Sequence, residues 1–218
     1  MKSQTDRAVR AIKQGLKWPS RERGRRMPTD SQMYGFNDLG NGNKWLMAAL
    51  MAYTQGMAPD KIVKTLKTFK GVEHRNEFVR ELDGVKWYND SIGSSPTRTI
   101  AGLLSFKQKV ILIAGGYDKH LDYTELGEYI VDHVSTLILL GQTKEKIKNA
   151  TLTAIEVREE DVELPLIECT TLEEAVNAAQ KYAKSGDIVF FSPASASFDL
   201  YKNFMERGNH FKELVGNL

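Results

Sequence analysis

The rhythm of apolar positions along the chain changes twice, and each change predicts a different architecture. From residue 1 to about Gly40 no period is sustained. Arg21 to Arg26 is a run of charge bracketed by Pro19 and Pro28, and only Thr5 to Leu16 has the spacing of a short helix. From Lys44 the pattern turns helical: Leu46, Met47, Leu50 and Met51 recur at helical intervals as far as Gly56. Pro59 stands where a second helix would start, and Ile62, Leu66 and Phe69 mark one of its faces. After Gly71 the period shortens. Phe78 to Leu82 and Val85 to Tyr88 flank Asp83-Gly84, a pair that tolerates the positive φ angles of a tight turn, so a β-hairpin is expected.

Strands and helices then alternate. The strand candidates are Val85 to Tyr88, Lys109 to Ala114, Thr136 to Leu140, Pro165 to Glu168 and Asp187 to Phe191. Helical spacing falls on Pro96 to Phe106, Tyr123 to His133, Lys144 to Thr153, Leu172 to Lys184 and Phe198 to Leu214. Val110 to Ala114 and Leu137 to Leu140 are continuous apolar runs, as expected of strands covered on both faces in a parallel sheet. The predicted fold is therefore α/β: a three-layer, doubly wound, mainly parallel sheet preceded by a small helical element. The corresponding segments are 1–43 as a basic leader or linker, 44–70 as the helical element and 71–218 as the doubly wound domain.

Composition narrows the classes. Of 218 residues, 41% are hydrophobic and 27% charged, which supports a sizeable core and excludes wholesale disorder. The longest apolar runs fall well short of the roughly 20 residues a bilayer span needs, and the N-terminus lacks the apolar stretch of a secretory signal. The single cysteine, Cys169, cannot form an internal disulfide. A cytoplasmic, membrane-free monomer is expected. The net charge of +2 is unevenly spread: up to Arg26 there are nine basic residues and two acidic ones, so the rest of the chain is net negative. A mildly acidic body argues against a broad nucleic-acid-binding face, and the leader is read as a solvated tail.

Chemistry in a doubly wound sheet belongs beyond the carboxyl ends of the strands, where helix N-termini and loop amides face outward. Asn89, Asp90, Ser91, Gly93, Ser94 and Ser95 follow the first parallel strand, and Gly115 to Lys119 follow the second. Ser192 to Ser197 follow the last, whereas only Gly141 and Gln142 follow the third. Hydroxyls, glycine-exposed amides and the Lys119 charge together suit a carboxylate or phosphate. A carboxylate at Asp90 beside such a site suits a metal or nucleotide contact. The same residues have plainer uses: Asn89-Asp90 can form an Asx-turn, and Ser197 can cap the last helix. Arg75 suits phosphate recognition through its planar fork. The four histidines lack metal-ligand spacing, so no metal site is expected. Neither a Gly-x-Ser-x-Gly elbow nor a Gly-x-x-x-x-Gly-Lys-Ser/Thr phosphate loop occurs.

Four segments, in order, resemble the C-terminal domain of Mur ligases, in particular the branch that adds D-glutamate. They are His74-Arg75-x-Glu77 with Gly84 to Ser91, Gly115 to Lys119, Ser192 to Asp199, and Lys202-Asn203-Phe204 with Glu206-Arg207-Gly208-x-x-Phe211. The resemblance covers about Ala48 to Leu218. It implies an ADP-forming, amide-bond-making ligase of peptidoglycan synthesis, with UDP-N-acetylmuramoyl-L-alanine and D-glutamate as substrates and ATP with Mg²⁺ as cofactors. In such enzymes the UDP-sugar's carboxylate becomes an acyl phosphate that the D-glutamate amine attacks. By resemblance, Arg75, Asp90 and Asn89 lie toward ATP, and Ser94, Lys119, Ser197 and Phe204 hold the D-glutamate carboxylates.

Three departures shape the expectation. Ile92 stands where many members carry lysine. In the segment that resembles the end of the family's central ATPase domain, Ala48-Ala49 fits but the two asparagine positions fall on Gly42 and Trp45. The phosphate loop and UDP-sugar domain have no counterpart in these residues. A truncated or rearranged reading frame, or a degenerate paralogue, is therefore expected. Such a chain would have no complete catalytic set and no tight hold on ATP or Mg²⁺. The alternatives are a non-catalytic module binding an acidic amino acid or nucleotide, and a fragment of another Mur or folylpolyglutamate-type ligase.

Overall fold

The structure is a computed structural model, and it describes residues 42–68, 71–158 and 162–218. The leader, with its expected helix at Thr5 to Leu16, and Phe69 lie outside them. The chain divides into two units between Lys70 and Gly71. In the first, α1 (Gly42–Thr54) and α2 (Pro59–Thr68) follow the helical spacing, with Pro59 opening α2. Ala49 and Ile62 are buried, with Ala52 and Leu66 packed against them.

The second unit is a single six-stranded sheet. Its strands are β1 (Glu77–Leu82), β2 (Val85–Asn89), β3 (Val110–Ala114), β4 (Val134–Leu139), β5 (Leu166–Glu168) and β6 (Ile188–Phe191). Between and after them run α3 (Pro96–Leu103), α4 (Thr124–His133), α5 (Lys144–Glu156), α6 (Leu172–Tyr182) and α7 (Phe204–Gly216). The strand order is β1-β2-β6-β3-β4-β5. β1 and β2 form the antiparallel hairpin, turning through Asp83 and Gly84, both at positive φ. Every other pairing is parallel.

The unbroken apolar runs have the expected cause. Alternate residues of a strand point to opposite faces, so a strand covered on both sides needs apolar residues throughout. On one face Ile111, Ile113, Ile138, Val189 and Phe191 pack with Ala175, Val176 and Ala179 of α6 and Phe211 and Val215 of α7. On the other, Val110, Leu112, Leu137, Leu139 and Phe190 pack with Ile100, Leu103, Leu126, Ile130 and Ile147 of α3, α4 and α5. The helices therefore cover both faces of one sheet.

Two expectations on the last connection are corrected. The final helix starts at Phe204 rather than Phe198, and its cap is Asn203, not Ser197. Residues 198–203 are held as a turn, because the amides of Leu200 and Tyr201 both donate to the Ser197 carbonyl. Asn203, in extended conformation, then accepts the Glu206 amide, satisfying one of the donors that a helix start leaves over. Smaller differences fall at helix ends. α3 stops at Leu103 rather than Phe106, and α5 runs on to Glu156.

Candidate functional site

The strand order decides where the loops meet. β2 and β3 are consecutive parallel strands, yet they do not touch; β6 returns from the far edge to lie between them. The loops leaving the carboxyl ends of β2, β6 and β3 are thereby neighbours, and they form one rim. Asn89, Asp90 and Ser91 leave β2, Ser192 to Ser197 leave β6, and Gly115 to Lys119 leave β3.

The β2 and β6 loops are welded by buried polar groups. Asp90, 4% exposed, accepts the Ser192 hydroxyl at 2.8 Å on one carboxylate oxygen and the Asn76 amide at 3.2 Å on the other. Ser192 in turn lies 2.8 Å from the Thr99 hydroxyl on α3. Burial pushes the Asp90 carboxyl up to about 6, partly opposed by the Ser192 and Asn76 hydrogen bonds and by the charges of Arg75 and Arg98.

Asn89 has no exposed surface. Its Oδ1 accepts the Ser91 amide, the Asx-turn foreseen as the plainer use, and its Nδ2 lies 3.0 Å from His74 Nδ1 and 3.1 Å from Glu77 Oε2. Asn89 thus supports the β2 loop through these contacts. His74 is itself buried, with its ring edge-on to Phe204, and burial lowers its pKa.

Arg207 of α7 is the centre of this half of the rim. Its guanidinium, 4% exposed, donates from Nε to Ser91 Oγ, from Nη2 to the Ser91 carbonyl, and from Nη1 to the carbonyls of Ser195 and Ala196. Among the described residues no carboxylate bonds to it; Asp199 contributes through its nearby charge, and burial pulls the Arg207 pKa down to about 10. The fork geometry of arginine lets one side chain hold two loops and the start of a helix. Its role was invisible in the sequence, where it appears only inside a motif.

The β6 and β3 loops are joined differently. The amides of Gly115 and Tyr117 donate to the carbonyls of Pro193 and Ala196. Ser195 Oγ sits 2.7 Å from Thr143 Oγ1 and 2.9 Å from the Tyr123 hydroxyl. Thr143 and Tyr123 were likewise unpredicted. Gly115 and Gly116 have positive φ, and a Cβ on either would run into the carbonyl of Leu140 or Ala196, so only glycine lets the loops approach this closely.

The seven predicted residues therefore separate. Asn89 and Asp90 are enclosed and engaged. Arg75 is exposed, near enough to Asp90 for its charge to act there. Phe204 opens α7, so its amide has no acceptor within the helix, while its carbonyl accepts the Ser91 hydroxyl at 2.7 Å. Ser94 is half-buried, Lys119 exposed and Ser197 buried. Lys119 and Ser197 lie on the same side of the molecule, for the Lys119 ammonium is 5.6 Å from the ring of Phe198, the residue after Ser197. Among the described residues, the hydroxyls of Ser91, Ser192 and Ser195 all have protein partners. Those of Ser94 and Ser197, and the Lys119 ammonium, make no such hydrogen bond or ion pair.

Among the described residues there is no group of three or more His, Cys, Asp or Glu side chains that could hold a metal ion. No helix there is long and apolar enough to cross a membrane. A groove of about 910 Å³ lies between α4 and α5, beside Tyr129, Asn149 and Val157, and none of the predicted residues lines it.

Fold and rim define a class: the chain belongs to the Mur ligase family, and the family's glutamate ligase domain matches residues 74–195. Among curated proteins it is 55% identical over 172 residues to the UDP-N-acetylmuramoylalanine--D-glutamate ligase of Acetivibrio thermocellus, covering 79% of this chain and 37% of that protein. It is 51% identical over 189 residues to the enzyme of the same name from Clostridium acetobutylicum, covering 87% and 40%. The chain thus spans about two fifths of the length of these relatives. Solved structures agree on the fold. UDP-N-acetylmuramate-alanine ligase from Thermotoga maritima superposes with a TM-score of 0.58 at 12% identity, over 82% of this chain and 38% of that one. A pseudomurein peptide ligase from Methanothermus fervidus gives 0.56 at 16%, over 82% and 36%.

Proposed function

We propose that this chain is the amino-acid-gripping part of an ATP-dependent ligase that joins D-glutamate to UDP-N-acetylmuramoyl-L-alanine in peptidoglycan synthesis. The observation that carries the reading is the set of uncommitted groups on the rim. Among the described residues, the hydroxyls of Ser94 and Ser197 and the Lys119 ammonium make no hydrogen bond or ion pair, in a site where Ser91, Ser192 and Ser195 are all engaged. The similarity to D-glutamate ligases at about half identity supports the same substrate.

The chemistry follows from charge and donors. A dicarboxylic amino acid whose amine must act as nucleophile has to be held by its carboxylates alone. Lys119 supplies a point charge for one of them, Ser94 and Ser197 supply hydroxyl donors, and the Phe204 amide supplies a donor at a helix N-terminus. Arg75, exposed at the β2 side, would contact a nucleotide phosphate. Asp90, with both oxygens engaged inside the rim, would act by orienting Arg75 and the β2 loop rather than by touching ribose directly. ATP with Mg²⁺, when bound in a full-length ligase, supplies the phosphoryl group that activates the acceptor carboxylate. These 218 residues contain no phosphate loop to cradle it. Residues 44–70 would correspond to the end of the central ATPase domain, and 71–218 to the C-terminal domain.

Isothermal calorimetry tests the reading on the 218-residue chain. D-glutamate binding is expected, and Lys119→Ala should abolish it. Binding that survives Lys119→Ala, or none to the unaltered chain, sinks the assignment. Incubation with ATP, D-glutamate and UDP-N-acetylmuramoyl-L-alanine is expected to release no D-glutamate-dependent ADP. Steady turnover by the purified chain would contradict the division of labour proposed here.

A further inference from the structure

A lysine that is to grip a ligand's carboxylate must stay unneutralised in the resting protein, and its flexible stem must not wander from the site. Both problems are acute for Lys119. Its neighbour in sequence is Asp118, a ready-made partner, and four methylenes with a strongly hydrated head give the side chain many rotamers to lose. The structure meets each in turn. Asp118 is occupied by Lys146, which reaches its Oδ2 at 2.7 Å from α5, while the Asp118 Oδ1 accepts the His120 amide. The Lys146 hydrogen bond, foremost among several causes, holds the Asp118 carboxyl below its usual range, so it stays ionised and engaged. Lys119 is left with an aromatic face: its ammonium lies 5.6 Å from the centroid of the Phe198 ring.

Phe198 is an unusual place to spend a phenylalanine. It is 59% exposed, so its ring contributes little to the core. The ring is nonetheless fixed, edge-on to Tyr117 at 5.9 Å, and Tyr117 is tied to the β6 loop through the Ala196 carbonyl. A ring face attracts a cation without cancelling its charge, which is what distinguishes it from a carboxylate. We propose that Phe198 is a positioning residue, whose ring holds the Lys119 ammonium beside Ser197 and so strengthens the grip on a dicarboxylate. The proposal rests on reading Lys119 and Ser197 as D-glutamate ligands, but the resting contact between lysine and ring does not.

The test separates the two. In the ¹³C-labelled 218-residue chain, the Lys119 Hε resonances should be displaced upfield by the ring and should return to the position of exposed lysines in Phe198→Leu. Calorimetry with D-glutamate should then show affinity reduced about two- to fivefold in Phe198→Leu and recovered in Phe198→Trp, since the indole face binds cations best. Thermal midpoints of both variants should match the parent, separating positioning from folding. Absence of the ring shift in the parent chain overturns the contact. A ring shift accompanied by unchanged affinity in Phe198→Leu, while Lys119→Ala abolishes binding, overturns the positioning role and spares the D-glutamate assignment. A ring shift with no D-glutamate binding by any form overturns the assignment and the affinity claim together.

Discussion

The two halves of the rim are built on opposite principles. On the β2 side a core of polar groups is buried and answered from within: Asn89, Asp90, Ser91, Ser192 and Arg207 form a closed network across two strands and two helices, with Arg75 and Ser94 left at its margin. On the β3 side Tyr117, Lys119 and Phe198 stand in solvent and touch through ring faces and edges. The first half supplies a rigid frame. The second supplies the charge, on loops that the frame already fixes. Rigid support beneath an exposed, unneutralised cation suits capture of a small, flexible dicarboxylate.

That contrast makes stability a direct way to tell the halves apart. The largest effect is expected at Arg207. Replacing it with leucine would leave the buried carbonyls of Ser91 and Ser195 without their donor, the Ala196 carbonyl with the Tyr117 amide alone, and the Ser91 hydroxyl with its bond to Phe204 alone, at a loss on the order of 3 kcal/mol. Urea unfolding measures this, and a change under about 1 kcal/mol would show that the network is not the frame.

Asp90 comes next, with the opposite sign. Its folded pKa of about 6 lies above the 3.8 of the free group, so the native state retains a proton that the unfolded chain has released. The associated stability is complete below about pH 4 and disappears as pH rises through about 6. Asp90→Asn keeps the acceptor for the Asn76 amide and can donate to Ser192, whose own proton turns to Thr99. The variant should therefore gain on the parent as pH rises from about 4 to 6 and level off above that, at on the order of 2–3 kcal/mol. Parallel stability–pH curves for the two proteins would refute the buried-carboxylate account.

Lys119→Ala should be nearly silent in stability, within roughly 0.5 kcal/mol, because the side chain is exposed and makes no ion pair among the described residues. Lys146→Met is expected to be as small in stability but not in binding. It frees Asp118 to pair with Lys119, and D-glutamate affinity should fall although Lys146 never touches the ligand. An unchanged affinity would mean that Asp118 cannot reach Lys119 and that Lys146 has no protective role.

The sheet was legible because two-sided burial leaves its mark in residue type. Val110 to Ala114 and Leu137 to Leu140 have no polar face to offer solvent, and the strands fall there. Asp83-Gly84 announced the hairpin for an equally local reason, the positive φ both residues adopt. The last helix was misplaced by six residues because Phe198 and Met205 stand two helical turns apart, as if on one apolar stripe. In the fold both are exposed, and Asn203 supplies the cap.

What the sequence determined alone was therefore local: periods, turns, and the loop residues able to bind an anion. Which of those residues remain free was decided only by tertiary structure. Arg207 lies 116 residues from the serine it holds, and nothing in its own helix distinguishes it from a solvent-facing arginine. That Asn89 and Asp90 are enclosed follows likewise from the placement of β6 between β2 and β3, which no local pattern announces. Hydrogen-bond satisfaction is a property of three-dimensional neighbours, whereas burial pattern is a property of the chain, and the site depends on the former.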